Sequence, residues 1–137
     1  MGLLLAHQEL KQCLMETGSK VRFERGDFLF RRGDEVRGAF LILSGKVRLG
    51  LGGKSTAVRS RDLGSGAILG LPATLSNSPY SLTAEVIAKT EVVHLSRPAM
   101  LELLRTYSKL CFEVMNLLSE ELAETRNALS RIHKIRA

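Results

Sequence analysis

A chain of 137 residues with 45% hydrophobic side chains can bury one core but is too short for two comfortable domains. Its formal charge of +6 is spread over basic residues scattered along the sequence, which favours a solvated surface over a nucleic-acid interface. Its two distant cysteines cannot form a zinc site or an iron–sulfur cluster alone, and no apolar run could span a bilayer, so we expect a cytoplasmic single-domain protein.

The chain begins with a predicted helix and continues into glycine-rich turns. Residues 3–15 have the apolar spacing of a helix, and Gly18 marks its end. Gly-Asp pairs then recur at 26–27 and 33–34. Glycine takes the positive φ that a tight turn demands, and aspartate accepts hydrogen bonds from the backbone of the turn. These pairs therefore predict tight turns between short strands.

Strands are predicted between and after these turns. Phe28 and Phe30 lie two residues apart, which is the period of a strand with one buried face. The same alternation runs through 47–51. Glycines at 52–53 then predict a hairpin turn, after which 55–59 returns antiparallel. The first half of the chain is thus typical of a β-roll.

A short helix is predicted to interrupt the strands in the second half of the chain. The segment 67–77 breaks the alternation and contains a proline that suits the first turn of a helix. Strand character returns over 81–88 and 90–95. Another short helix follows over 98–105, with Ser96 as its N-cap.

The segment 108–137 predicts a long helix that dimerises. Mostly apolar residues recur there alternately four and three apart, which is a heptad seam. An uncovered seam would expose an apolar stripe, so we expect it to pack on the same helix of a second subunit rather than fold back on its own domain. Residues 1–107 then form the N-terminal helix, the β-roll and the short helix. The seam consists of Cys111, Met115, Leu118, Leu122, Thr125, Leu129 and Ile132.

One ordered set of residues links these elements to a known family. Its members are Gly26, Asp27, Gly33, Asp34, Gly38, Phe40, Ile42, Gly45, Val47, Gly64, Gly66, Gly70, 84–86 and 92–95. With this set, almost the whole chain resembles the cyclic-nucleotide-binding domain of the CRP/FNR transcription regulators. The resemblance implies a mostly β fold with flanking helices (α+β), built as a jelly-roll-like double-stranded β-helix, with an effector pocket that faces the long helix.

The resemblance also implies a DNA-binding helix-turn-helix domain after the long helix, whereas this chain stops at Ala137. We therefore expect no direct DNA binding by this chain. Two interpretations stay open: the chain is the sensor half of a longer regulator, or it is a natural single-domain protein.

The phosphate-binding cassette of that family differs here at its two charged positions. The resemblance places the Gly-Glu-Leu run on 70–72 and the Arg-Ser/Thr-Ala run on 82–84, so leucines replace the glutamate and the arginine. In the family the arginine neutralises the cyclic phosphate and the glutamate accepts from the ribose hydroxyl, so cyclic AMP and cyclic GMP are not favoured effectors. The candidate pocket residues are Gly70, Leu71, Pro72, Ala73, Ser81, Leu82, Thr83 and, on the long helix, Thr125.

Three hypotheses for the pocket stay open. It takes a less charged small-molecule effector, or it is filled by the protein's own side chains and leaves a structural dimerisation module, or Arg59 or Arg61 replaces the missing arginine in an ordinary cyclic-nucleotide binder. Some relatives sense gas through haem, for which His7 or His94 could serve, although a lone histidine is far more often an ordinary residue. The sequence contains no hydrolase, Walker or metalloprotease motif, so we expect no catalytic residues, no metal and no enzyme.

Overall fold

The computed structural model describes residues 8–51 and 60–106, which form a β-roll with helices packed against it. The predicted strand at 55–59 and the segment 108–137 with its seam lie outside the described residues. The elements in chain order are α1 (Gln8–Thr17), β1 (Ser19–Phe23), β2 (Phe28–Phe30), β3 (Ala39–Gly50), β4 (Arg61–Leu63), β5 (Ile68–Leu69), α2 (Leu71–Ser76), β6 (Thr83–Leu95) and α3 (Arg97–Thr106). Neither α1, α2 nor α3 is long and apolar enough to cross a membrane.

The two long strands β3 and β6 are the central strands of the roll. They pair antiparallel from Ala39 opposite Leu95 to Gly50 opposite Thr83, and the sheet order is β1-β6-β3-β4. Strand β2 adds to β6, and strand β5 adds to β3. This mostly antiparallel sheet with a few helices confirms the predicted class. The strands predicted at 81–88 and 90–95 are one strand with irregular pairing near its middle.

The predicted turns are confirmed where the structure describes them. Gly26 and Gly33 have φ values of 96° and 92°. In the first turn the Glu24 amide donates to the Asp27 carboxylate at 2.8 Å. In the second turn the Arg31 amide donates to the Asp34 carboxylate in the same way, at 3.0 Å. The aspartates therefore satisfy turn amides that no strand partner reaches.

Strand β3 is buried on both faces over its first half. Phe40 and Ile42 belong to the core inside the roll, whereas Ala39 and Leu41 belong to a second core under the helices. A strand covered on both faces reads as a continuous apolar run. The helix-side core contains Leu10 and Leu14 of α1, Ala39, Leu41, Ile68, Leu71, Val93 and Leu95, and Met100 and Leu103 of α3.

The expected alternation of Phe28 and Phe30 on one face of β2 is wrong. Phe28 lies opposite Glu85 and Phe30 opposite Ala84, so the register shifts by one residue between them. A β-bulge inserts an extra residue into one strand and re-aims the side chains that flank it. Leu29 and Phe30 consequently both enter the roll core, and Phe28 stays half-buried beneath the Arg31 guanidinium, 4.2 Å from its ring centroid.

The predicted helix ends agree with the structure to within two residues where the structure describes them. Helix α1 runs two residues beyond the predicted end, and the Gly18 amide donates to the Leu14 carbonyl at 2.8 Å where the chain leaves the helix. Ser96 caps α3, since its Oγ accepts from the Ala99 amide at 3.3 Å. Helix α2 begins with Pro72 in its first turn, as predicted.

Candidate functional site

A small pocket lies between β2, β3, α2 and the residues before β6. Its enclosed part measures about 10 Å³, which is room for a single water molecule. With the open mouth included, the space is about 240 Å³. Ligand pockets usually measure several hundred Å³, so the described residues close most of this space with their own side chains. The lining residues are Phe30, Leu49, Gly70, Pro72, Ala73, Tyr80, Ser81 and Leu82.

Not all of the predicted pocket residues line this space. Leu71 is fully buried in the helix-side core, on the other side of α2. Thr83 accepts a hydrogen bond from the Arg32 amide at 3.0 Å through its Oγ1 and is not part of the lining. Thr125 lies outside the described residues. The residues that the fold does bring together are Gly70, Pro72, Ala73, Ser81 and Leu82.

Gly70 holds the start of α2 close to the roll. Its φ of 84° is left-handed, and a Cβ atom there would lie 3.1 Å from both the Gly38 carbonyl oxygen and Tyr80 Cε1. The Thr74 amide donates back to the Gly70 carbonyl at 3.0 Å, and Pro72 has no amide hydrogen. The first turn of α2 therefore offers an anion few donors.

Tyr80 is the main side chain of the pocket that sequence reasoning missed. Its ring stacks on Phe30 with centroids 4.0 Å apart and planes 7° from parallel. Its hydroxyl donates to the Gly38 carbonyl at 2.7 Å and accepts from the Arg37 amide at 3.0 Å. Burial raises the pKa of the Tyr80 hydroxyl above its usual value. Tyr80 sits in an irregular segment before β6, where strand periodicity gives no signal.

Arg37 and His94 extend this network away from the pocket. The Arg37 guanidinium donates to the Leu29 carbonyl at 2.9 Å, and the Arg37 carbonyl accepts from His94 Nε2. The imidazole also packs on Phe40, with ring centroids 5.0 Å apart. These contacts account for the position of His94 as a structural residue. Within 8–51 and 60–106, no three His, Cys, Asp or Glu side chains cluster as metal ligands.

Helix α2 is linked directly to α3. The Arg97 Nε donates to the Thr74 carbonyl at 2.8 Å, and Thr74 Oγ1 donates to the Gly70 carbonyl at 2.7 Å. A chain of hydrogen bonds thus runs from the pocket wall at Gly70 to the first residue of α3. A displacement of α2 would move α3 through these bonds unless they break.

Comparison with known families and structures agrees with this architecture. The family described as the cyclic nucleotide-binding domain matches residues 20–107. No curated protein matches the chain. The catabolite activator protein of Thermus thermophilus is 25% identical with a TM-score of 0.75, over 93% of this chain and 60% of that protein. The chain therefore spans about 60% of the length of that relative.

Two further structures have the same fold. A cyclic nucleotide-binding-like protein of Brucella abortus is 27% identical, with a TM-score of 0.58 over 71% of this chain and 84% of that one. The c-di-GMP responsive global regulator CLP of Xanthomonas campestris is 18% identical, with a TM-score of 0.69 over 90% of this chain and 63% of that one. Proteins with quite different sequences thus build the β-roll described above.

Proposed function

The chain belongs to the cyclic nucleotide-binding domain family, and from this premise we propose that it is the effector-sensing domain of a CRP/FNR-type transcription regulator. Its pocket lacks the glutamate and arginine of the phosphate-binding cassette and takes an effector other than cyclic AMP or cyclic GMP. The domain acts in the cytoplasm as a homodimer, contacts DNA only through a helix-turn-helix domain, and catalyses no reaction.

The placement of Leu82 is the observation that carries this proposal. Leu82 lines the pocket at the position where the resemblance expects the arginine. A cyclic phosphate taken from water into this site would lose its hydration and gain no cation from that position. Leaving a buried charge without its partner costs on the order of 2–5 kcal/mol. Leu71, at the glutamate position, is buried away from the pocket and offers no acceptor to a ribose.

The link from α2 to α3 supports a sensing role. The enclosed space holds about one water, so an effector has to displace part of the wall to enter. Helix α2 forms one side of that wall, and Arg97 ties it to α3. Because the effector binds better when α2 is displaced, it shifts the protein toward the displaced arrangement of α2. This shift also moves α3 and the segment that follows α3.

Isothermal titration with cyclic AMP and with cyclic GMP tests the proposal. We expect no binding of either nucleotide tighter than about 1 mM. A cooperative thermal unfolding transition of the same sample serves as the control that the protein is folded. Low-micromolar binding of either nucleotide would contradict the altered pocket and favour a substitute basic residue. Of the two residues considered for that role, Arg61 begins β4, and Arg59 lies outside the described residues.

A structural interaction module with a filled pocket is the second candidate function. The enclosed volume of about 10 Å³ favours it, because Phe30, Tyr80 and Leu82 already occupy the space. A panel of metabolites separates the two functions in a thermal-shift assay. A sensing domain is stabilised by at least one member of the panel, since a ligand that binds the native state raises the unfolding free energy. A filled pocket leaves the melting temperature unchanged throughout.

Dimerisation through the seam predicts a clear mutational effect. Replacing Leu118 and Leu122 together by lysine should convert the protein to monomers, because each lysine would place a charge in the apolar seam. The matched control is the pair Asn116→Lys and Ala123→Lys, which has a heptad spacing outside the seam and should keep the dimer mass. Light scattering measures both variants. An unaltered mass for the Leu118/Leu122 variant would refute the seam.

A further inference from the structure

The lining of the pocket contains no charged side chain among the residues that the structure describes. Its floor is deeply buried, and its mouth is open to solvent. The floor consists of Phe30, Leu49 and Tyr80, each at most 5% exposed. The mouth consists of Pro72, Ser81 and Leu82, which are half-buried or exposed. An effector that enters past the mouth therefore meets mainly apolar and aromatic surface.

Several polar groups of these walls already have partners within the protein. The Tyr80 amide donates to the Asp34 carbonyl at 3.1 Å, and the Tyr80 carbonyl accepts from the Gly33 amide at 2.8 Å. The Pro72 carbonyl accepts from the Ser76 hydroxyl at 2.6 Å. A ligand that needs several hydrogen bonds would have to break bonds that hold the fold together, and each buried group left unpaired would cost free energy.

The environment of the floor also disfavours charge. Burial raises the pKa of the Tyr80 hydroxyl above its usual value, although the bond from the Arg37 amide acts in the opposite direction. The charged phenolate is therefore less stable here than in water. An anionic or cationic ligand pressed against the same ring would likewise lose its hydration, and the lining supplies no countercharge.

Leu82 is the part of the wall that a ligand displaces most easily. Its side chain is half-buried against the roll core, whereas Phe30 and Tyr80 are stacked on each other and almost fully buried. Leu82 also lies in a bend just before β6, which begins at Thr83. The other apolar residue of the mouth, Pro72, has a ring that fixes its backbone. Turning the Leu82 side chain outward would open the pocket toward the floor.

We propose that the pocket binds a neutral, flat, mostly apolar molecule of about one aromatic ring, which takes the place of the Leu82 side chain beside α2. The inference rests on the proposed function, in which this pocket receives an effector. Such a ring buries apolar surface and packs against the aromatic floor in an offset-stacked or edge-to-face arrangement. The Ser81 hydroxyl at the mouth serves one polar substituent of the ligand.

Three probes of nearly the same planar shape test the inference by NMR on the full chain. Near neutral pH, acetophenone is uncharged, benzoate is an anion and benzamidinium is a cation. Acetophenone should shift the methyl resonances of Leu49 and Leu82 saturably, with a dissociation constant of about 1 mM or below. Benzoate and benzamidinium should each bind at least about tenfold more weakly, because the site gives a buried charge no partner.

A pair of leucine variants tests the displacement of Leu82. Leu82→Ala should tighten the binding of acetophenone about three- to tenfold, because the ring no longer has to expose a half-buried leucine. Leu43→Ala is the matched control, since Leu43 is half-buried against the helix-side core, and it should leave the affinity unchanged. A cooperative thermal unfolding transition shows that each variant is folded.

The inference is overturned if either charged probe binds as tightly as acetophenone, or if acetophenone shifts neither Leu49 nor Leu82 at about 10 mM. It is also overturned if folded Leu82→Ala binds acetophenone no more tightly than the native chain. The charge series uses the native chain and decides the matter even if a variant does not fold.

The proposed function fails through a different observation. A sensing domain should transmit binding to α3, so acetophenone should also shift the methyl resonance of Met100, which lies in the helix-side core. Shifts at Leu49 and Leu82 without one at Met100 would support the ligand class and contradict the transmission from the pocket to α3.

Discussion

Gly38→Ala is expected to destabilise the fold by about 2–5 kcal/mol, the sum of a left-handed backbone penalty and an overpacked contact. The φ of Gly38 is 122°, and a Cβ atom there would lie 2.1 Å from the Leu95 carbonyl oxygen and 2.9 Å from His94 Nε2. Neither group can shift easily, because the Leu95 carbonyl belongs to the backbone of β6 and His94 Nε2 is hydrogen-bonded to the Arg37 carbonyl. The pocket should loosen as well, since Tyr80 donates to the Gly38 carbonyl.

Gly33→Ala is the matched control for this effect. Gly33 has a similar positive φ of 92°, but a Cβ atom there would meet nothing within 4 Å. The control should therefore lose only the backbone term, about 1–2 kcal/mol. Urea unfolding measures both variants. Equal losses would show that the close approach of Gly38 to β6 adds nothing.

Leu71→Glu, which restores the glutamate of the family's cassette, should destabilise the protein by about 3–6 kcal/mol and create no nucleotide site. Leu71 has no exposed surface and packs in the helix-side core under α1 and α3. The substitution removes about 1.5–3 kcal/mol of apolar burial and adds a buried polar group without a partner. Chemical denaturation measures the loss, and titration with cyclic AMP should give no heat of binding.

The same variant should have a characteristic pH dependence. Burial disfavours the charged form, so the new carboxyl should have a pKa above the value of about 4.3 in the unfolded chain. The unfolded chain then releases its proton first, and stability falls as pH rises above about 4.3 until the folded pKa is reached.

Pro72→Glu is the control for the stability loss of Leu71→Glu. Pro72 is half-buried in the pocket lining, and a glutamate in the first turn of α2 should change stability by less than about 1 kcal/mol. Similar losses of stability for the two variants would contradict the placement of Leu71 in the helix-side core and of Pro72 in the pocket lining.

The local elements of the roll could be predicted because their causes are local. A Gly-Asp pair makes its turn bonds within four residues, as the Glu24 amide and Asp27 do. Ser96 caps α3 and Pro72 opens α2 for reasons contained in one helical turn. The family resemblance also follows from the order of these signals along the chain, and the family match over 20–107 confirms it.

The site depended on contacts between residues far apart in the sequence. Leu71 lies on the face of α2 that packs against the other helices. The sequence does not show whether a leucine at this position lines a pocket or belongs to a core. Tyr80 gains its role from Phe30, Arg37 and Gly38, which lie more than forty residues away. No periodicity encodes such a partnership, so sequence reasoning named the leucines of the cassette and overlooked the tyrosine.

Sequence alone determined that this protein is a glycine-punctuated β-roll interrupted by a short helix, because turns, caps and strand alternation depend on near neighbours. Only the tertiary structure decided which residues meet at the pocket. The bulge in β2 re-aims Phe30, and the pairing of β3 with β6 sets Leu49 opposite Ala84. A shift of one residue in either register would exchange the inner and outer faces, and such a register is set by strand pairing across the whole sheet.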